Sequence, residues 1–197
     1  MIKAVIFDYG EVISYGKGLK NICMTYATAN SIEFKPFHKI VVENWRKAKV
    51  NEISSGQFWE SLANYARKDV KKLREEFMGL SKIDERVVDL IRKVKKNYKT
   101  ALISNHLEDW LEEDLDKNNL RNLFDVIVNS YHVKIAKPNP EIYLIADERL
   151  KVKPEECVFV DNKNSNVEGS RKVGMIGLEC NSFEKIVDAF TTLGVRF

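Results

Sequence analysis

Short apolar runs that stop abruptly at polar residues constrain this chain more than any other feature. They are Ile2 to Phe7, Thr100 to Ile103, Val126 to Val128, Cys157 to Val160 and Met175 to Leu178. Each is too short for a helix and ends in a polar or glycine-containing group, so each reads as a strand. Near-continuous hydrophobicity without alternation implies burial on both faces, as in a parallel sheet covered by helices. Helical patterns separate the later runs. Val87, Val88, Leu90, Ile91 and Val94 follow helical spacing between Asp84 and Asn97, with Asp84 as the N-cap. Asn139-Pro140-Glu141 combines a capping side chain, proline at the first helical position and an acid near the positive end of the dipole. That helix is expected to run to about Leu150. Two more are expected from about Ser165 to Val173 and from Phe183 to Leu193, closed by Gly174 and Gly194.

The stretch from Ser14 to Lys82 differs, because it carries no clear strand and four amphipathic segments. These present Leu19, Ile22, Cys23 and Tyr26; Phe37, Ile40, Val41 and Trp45; Phe58, Trp59, Leu62 and Tyr65; and Val70, Leu73 and Phe77. Ser54 and Gln57 form a capping-box signature at the head of the third. The expected architecture is therefore α/β: a Rossmann-like parallel sheet with helices on both faces, residues 1–13 plus 83–197. An all-α cap, residues 14–82, is inserted after the first strand.

Composition narrows the function classes. The 197 residues are 44% apolar and 31% charged, which suits an ordinary globular protein, and the net charge of +3 demands neither nucleic acid nor membrane. Lys71-Lys72 and Lys95-Lys96 lie on helix-like segments and read as solvated faces. The cysteines Cys23, Cys157 and Cys180 are odd in number and widely spaced, which argues against a disulfide framework. With no signal-peptide pattern and no apolar stretch of membrane-spanning length, a cytoplasmic location is expected. Composition leaves oligomeric state open.

In open parallel sheets, ligands bind beyond the carboxyl ends of the strands. Asp8, Ser104, Ser130 and Asp161 follow four strand runs and should converge on one crevice beneath the insertion. Two carboxylates in one cleft repel each other and call for a shared cation. With only oxygen ligands in prospect, magnesium is expected. Magnesium accepts substrate phosphate oxygens, which points to phosphoryl chemistry on a small phosphorylated molecule. Ser104 offers a hydroxyl to phosphate, Lys137 supplies positive charge, and an aspartate nucleophile provides a covalent route.

These residues sit in four motifs that resemble those of the haloacid dehalogenase-like hydrolase superfamily, in order along the whole chain. Ala4-Val5-Ile6-Phe7-Asp8-Tyr9-Gly10-Glu11-Val12-Ile13 resembles the first, a strand ending in the nucleophilic aspartate. Ala101-Leu102-Ile103-Ser104-Asn105 resembles the second, which implies that Ser104, with Asn105, binds phosphate. Lys137-Pro138-Asn139-Pro140-Glu141-Ile142-Tyr143 is similar to the third, with Lys137 as its lysine. Val158-Phe159-Val160-Asp161-Asn162, followed by Asn166-Val167-Glu168-Gly169 and Gly174-Met175, resembles the acidic fourth. The insertion resembles the superfamily's helical cap. The resemblance implies magnesium held by the Asp8 carboxylate, the Gly10 carbonyl and Asp161, and hydrolysis through an aspartyl-phosphate.

Two positions depart from the pattern. Most phosphatases of the superfamily carry an acid/base aspartate where this chain has Gly10, whereas some sugar-1-phosphatase-like members, which the chain resembles here, carry glycine. Asn162 replaces the second acid of the fourth motif and is expected to position water or the Lys137 ammonium. Loss of acid catalysis removes a factor of about 10²–10⁴, which good leaving groups such as anomeric sugar phosphates or acyl phosphates tolerate. The alternatives are a metal-independent 2-haloacid dehalogenase, disfavoured by Asp161, and a catalytically weak binding or regulatory relative, kept open by Gly10. His106 is a candidate substitute proton donor, against the plainer expectation of a solvent-facing or helix-start position. Glu11 falls one residue too late for the usual acid/base place. Trp45, Trp59 and Tyr65 are expected in the cap's core, and Tyr15 and Lys17 lie where the chain enters the cap.

Overall fold

The computed structural model describes residues 1–15 and 18–197 of the chain. Lys17 lies outside the described residues. The apolar runs form a parallel sheet of β1 (Ala4–Phe7), β4 (Lys99–Ser104), β5 (Val126–Asn129), β6 (Cys157–Asp161) and β7 (Ile176–Glu179). Its order is β5-β4-β1-β6-β7, which puts β1 in the middle and opens a crevice where the chain order reverses on either side of it. The register pairs Phe7 with Leu102 and with Val160, so β4 and β6 carry Ser104 and Asp161 one or two residues further, to the same edge as Asp8.

Alternate residues of each strand serve different layers. Val5, Phe7, Leu102, Val158 and Val160 face one core with α5 (Glu85–Val94), α6 (Glu108–Lys117) and α10 (Phe183–Leu193). Ala4, Ile6, Ala101, Ile103, Cys157 and Phe159 face another, covered by α8 (Pro140–Leu150), with α9 (Asn164–Lys172) packed beside it. The expected caps are made: Asp84 accepts from Arg86 N, Asn139 from Glu141 N, and Gly194 closes α10 with φ +68°. A short α7 (Ser130–Val133) follows β5 directly.

Residues 18–78 fold as α1 (Gly18–Ala29), α2 (Phe34–Ala48), α3 (Ser55–Ala66) and α4 (Val70–Met78), and the Ser54–Gln57 capping box is reciprocal. The expectation of no strand in this region is corrected. Ser14–Tyr15 (β2) and Lys82–Ile83 (β3) pair antiparallel, clasping the two ends of the insertion. Two-residue strands leave no periodicity for the sequence to reveal. The helical cluster of Tyr26, Phe37, Phe58, Trp59, Leu62 and Phe77 also takes in Leu107 and Trp110 from the α/β layer. Asp109 seals this junction by accepting from Trp59 Nε1 at 2.8 Å and Arg74 Nε at 3.0 Å, while Glu113 accepts from Arg74 Nη2. The three cysteines are buried and free, and no described helix is long and apolar enough to cross a membrane.

One buried carboxylate away from the crevice sets a pH dependence. Asp147, on α8, accepts from Cys157 Sγ, while its Oδ2 is buried without a partner. Burial pushes its pKa up to about 6, with Cys157 opposing and Glu155 assisting. A carboxyl whose folded value is raised favours folding fully below its unfolded value and loses that contribution as pH rises through about 6. Replacement by Asn removes this loss. The stability of Asp147→Asn relative to the parent should therefore rise by about 2 kcal/mol between pH 4 and pH 7. Urea denaturation of both proteins across that range measures it, and a pH-independent difference would contradict the assignment.

Candidate active site

The crevice gathers Asp8, Ser104, Lys137 and Asp161 as expected. Lys137 reaches it because its loop is braced and then pinned by α8. Its Nζ donates to Asp8 Oδ1 at 2.6 Å, to Asp161 Oδ2 at 2.8 Å and to the Ile103 carbonyl at 2.8 Å. All three of the ammonium's donors are thereby used. Lys137 is 3% exposed and Asp161 fully buried, so the pairing is a desolvated one. Gly169 lets α9 approach this loop: a Cβ there would lie 2.7 Å from the Pro138 carbonyl oxygen.

Electrostatics within the triad are unbalanced. Burial pushes the Asp8 carboxyl up to about 6, opposed by Lys137 and reinforced by Asp161. Burial alone would depress Lys137, but Asp8 and Asp161 outweigh it and hold the ammonium above its ordinary value. One cation thus faces two carboxylates. Asp161 is further tied by Lys163 N at 2.8 Å and by Asn166 Nδ2 at 2.9 and 3.1 Å.

The donor set fits a hard divalent cation. Asp8 and Asp161 offer carboxylate oxygens, and the hydrogen bonds closing the turn after Asp8 run to the carbonyls of Tyr9 and Ser14, not to that of Gly10. Asn162, which follows Asp161 in the chain, has a buried Oδ1 without a donor. Among the described residues no cluster of three or more acidic, His or Cys side chains forms a closed metal cage. Oxygen donors of this kind suit magnesium, which keeps several waters beside a few protein ligands.

Several expectations change. Asn105 lines the crevice, and its side chain is also engaged with the chain at Lys137. Its Oδ1 accepts from Lys137 N at 2.8 Å and its Nδ2 donates to Lys137 O at 2.9 Å, so it braces the lysine's backbone. Asn162 does not touch Lys137; its Nδ2 donates to Glu11 Oε2 at 2.8 Å, and Asn166 is the amide that reaches Asp161. Glu11 does line the cavity, with φ +64°, and Gly18 leaves room for its carboxylate. His106 does stand at a helix start, just before the α6 N-cap Leu107, but it is neither solvent-facing nor poised as an acid. It is buried edge-to-face against Tyr9, Trp45 and Trp110, its Nδ1 lies 3.2 Å from the Leu107 carbonyl, and burial lowers its pKa to about 4. The ring is neutral at pH 7 and serves as an aromatic wall. Ser130, at the end of β5, donates to the Lys49 carbonyl at 2.6 Å and so ties α2 to the sheet. Tyr15 is exposed and lines a different groove.

The cavity over Asp8 has a volume of about 320 Å³, large enough for a small metabolite. Its floor is Asp8, Gly10, Ser104 and Lys137. Its roof comes from α2 through Val42, Trp45, Arg46 and Lys49. The last two cations were not picked out from sequence. The available signal was their position, Arg46 four residues after Val42 and Lys49 four after Trp45, which a cap-core reading of Trp45 obscured.

Comparison with known proteins bears on this geometry. A family model described as haloacid dehalogenase-like hydrolase matches residues 21–177. A phosphorylated carbohydrates phosphatase of Thermotoga maritima is 34% identical over 117 residues, covering 59% of this chain but only 54% of that protein, about half its length. An (S)-2-haloacid dehalogenase 4A of Burkholderia cepacia is 24% identical over 91% of this chain and 83% of its own. A haloacid dehalogenase family enzyme from Bacteroides thetaiotaomicron, crystallised with magnesium and inorganic phosphate, superposes with a TM-score of 0.74 at 20% identity. That superposition covers 89% of this chain and 92% of the other, and it establishes the shared fold.

Proposed function

The chain belongs to the haloacid dehalogenase-like hydrolase family, and we propose that it is a magnesium-dependent phosphatase of small phosphorylated metabolites, acting through an aspartyl-phosphate at Asp8. The single observation that carries this reading is the buried pairing of Asp8 and Asp161 on Lys137, which leaves two carboxylates facing one cation. The division into an α/β hydrolase core, residues 1–13 plus 83–197, and a helical cap, residues 14–82, is part of the same proposal. The phosphatase relative and the neighbour holding magnesium and phosphate support it.

In this reading Asp8, the Gly10 carbonyl and Asp161 hold the metal, which when bound would screen charge on the phosphoryl oxygens and on Asp8. Ser104 and Lys137 bind and orient the phosphoryl group. An Asp8 carboxylate oxygen bonds to phosphorus as the bond to the leaving oxygen breaks. Water then attacks phosphorus, releasing phosphate and restoring the Asp8 carboxylate. Asn105 and Asn166 keep Lys137 and Asp161 in place, and Trp45, Trp110 and His106 limit water around the reacting atoms. Gly10 brings no proton to the leaving oxygen, so substrates with stable leaving groups, such as anomeric sugar phosphates and acyl phosphates, fit best.

The dehalogenase alternative draws on the haloacid dehalogenases among the relatives and on Gly10. It requires no metal, and the buried Asp161 carboxylate beside Asp8 weighs against it. The test is phosphate release from an aryl phosphate and a metabolite panel, with and without EDTA, beside halide release from 2-haloacids. Magnesium-dependent phosphate release without halide release is expected; robust turnover in EDTA would overturn the proposal. A second arm uses Gly10→Asp. A Cβ at Gly10 meets nothing within 4 Å, and Gly10 is not among the glycines with positive φ, so the side chain fits. The variant should hydrolyse alkyl phosphates about tenfold faster or more, as restored acid catalysis predicts.

A further inference from the structure

The roof of the cavity holds more positive charge than one phosphoryl group needs. Arg46 and Lys49, a helical turn apart at the end of α2, meet Lys163, which precedes α9 on the opposite wall. Among the described residues none of the three forms an ion pair. The lining carboxylate other than Asp8, Glu11, is engaged by Asn162. Lys49 is half-buried, and its pKa is lowered by burial first and then by Lys163, Arg46 and Lys137. Its backbone is held beside the cavity by the Ser130 hydroxyl, which donates to the Lys49 carbonyl at 2.6 Å. A partly desolvated ammonium crowded by like charges is unfavourable unless a ligand anion relieves it.

The charge of the transferred phosphoryl group is already matched. Ser104 and Lys137 lie at the Asp8 end of the cavity, and the magnesium fitted by Asp8 and Asp161 would take phosphoryl oxygens there. Trp45 and Trp110 line the same cavity and offer apolar surface suited to a short carbon skeleton.

We propose that the substrate carries a second anionic group, a carboxylate or a further phosphate, remote from the phosphoryl group transferred, and that Arg46, Lys49 and Lys163 receive it. This rests on the phosphatase reading only for the position of the first phosphoryl group. It narrows the substrate class to short phosphorylated acids or bisphosphorylated compounds.

Phosphonates test it without turnover, because their carbon–phosphorus bond has no leaving oxygen. Calorimetry in magnesium would compare propylphosphonate with phosphonopropionate and propylenebisphosphonate. The anionic tail should tighten Kd about tenfold or more, as charge-assisted hydrogen bonds do. That gain should fall to about twofold or less in Arg46→Gln and in Lys49→Gln. The tail giving the larger gain identifies carboxylate or phosphate as the natural group. Equal binding of tailed and untailed phosphonates, or a gain that survives both substitutions, would overturn the inference. A parallel phosphate-release assay separates the two proposals. Tail-dependent binding without hydrolysis of any phosphate ester would overturn the phosphatase reading and leave the anion site standing. Hydrolysis with no tail-dependent binding would overturn the anion site alone.

Discussion

Asp8→Asn should lower kcat for phosphate release by about 10⁴-fold or more while the protein stays folded. The amide keeps the size of the carboxylate and can still accept from Lys137, whose Nζ lies 2.6 Å from Asp8 Oδ1. It removes the oxygen nucleophile, and losing a nucleophile outright costs far more than losing a positioning contact. Stability should not suffer. Burial raises the Asp8 carboxyl to about 6, so its ionised form disfavours folding increasingly as pH rises through that value, and a neutral amide avoids this cost. Thermal melts in EDTA at pH 7.5 beside the kinetics separate lost chemistry from lost structure. Retention of more than a hundredth of the parental kcat would remove Asp8 from the nucleophile's role.

Lys137→Met should damage both stability and rate. The side chain is 1% exposed and its ammonium bridges Asp8 and Asp161. Removing one partner of a buried ion pair leaves an uncompensated charge and costs about 3–5 kcal/mol. Lys137 has a raised folded pKa, so its contribution is present in full below its ordinary value of 10.5 and is lost only as pH rises through the higher folded value. At pH 8 in EDTA the deficit should be complete. It should shrink as pH falls, starting above pH 6, because Lys137 lowers the Asp8 value and without the lysine Asp8 takes up its proton sooner. The rate should fall by about 10²–10³-fold through lost electrostatic stabilisation. A variant as stable as the parent at pH 8 would mean that the two carboxylates are compensated elsewhere.

What was legible in the sequence was local. Continuous apolar runs marked the buried strands, and Asp84, Ser54 with Gln57, and Asn139 with Pro140 marked helix starts, because each device acts within four residues of the chain. The strand ends then placed Asp8, Ser104 and Asp161 at one edge, and the following loop delivered Lys137. The rest depended on contacts across long separations. The hydrogen bond from Ser130 to Lys49 spans 81 positions and sets Arg46 and Lys49 over the cavity, which no helical pattern in α2 could disclose. For His106 the sequence left a helix start and a substitute acid both open, and only the enclosure by Trp45, Trp110 and Tyr9 decided between them. Asn105 and Asn162 kept their places in the motifs but turned to Lys137's backbone and to Glu11. Side-chain amides choose among partners that only the folded chain assembles.

The central claim is that Asp8 carries the phosphoryl group during turnover. Its most direct test is mass spectrometry of the Asp8-containing peptide after acid quench of the enzyme turning over an aryl phosphate. A phosphoryl adduct on Asp8 is expected that forms with magnesium, is absent in EDTA, and is converted by borohydride to the reduced side chain. Steady turnover in Asp8→Asn, or a covalent adduct on any other residue, would contradict it.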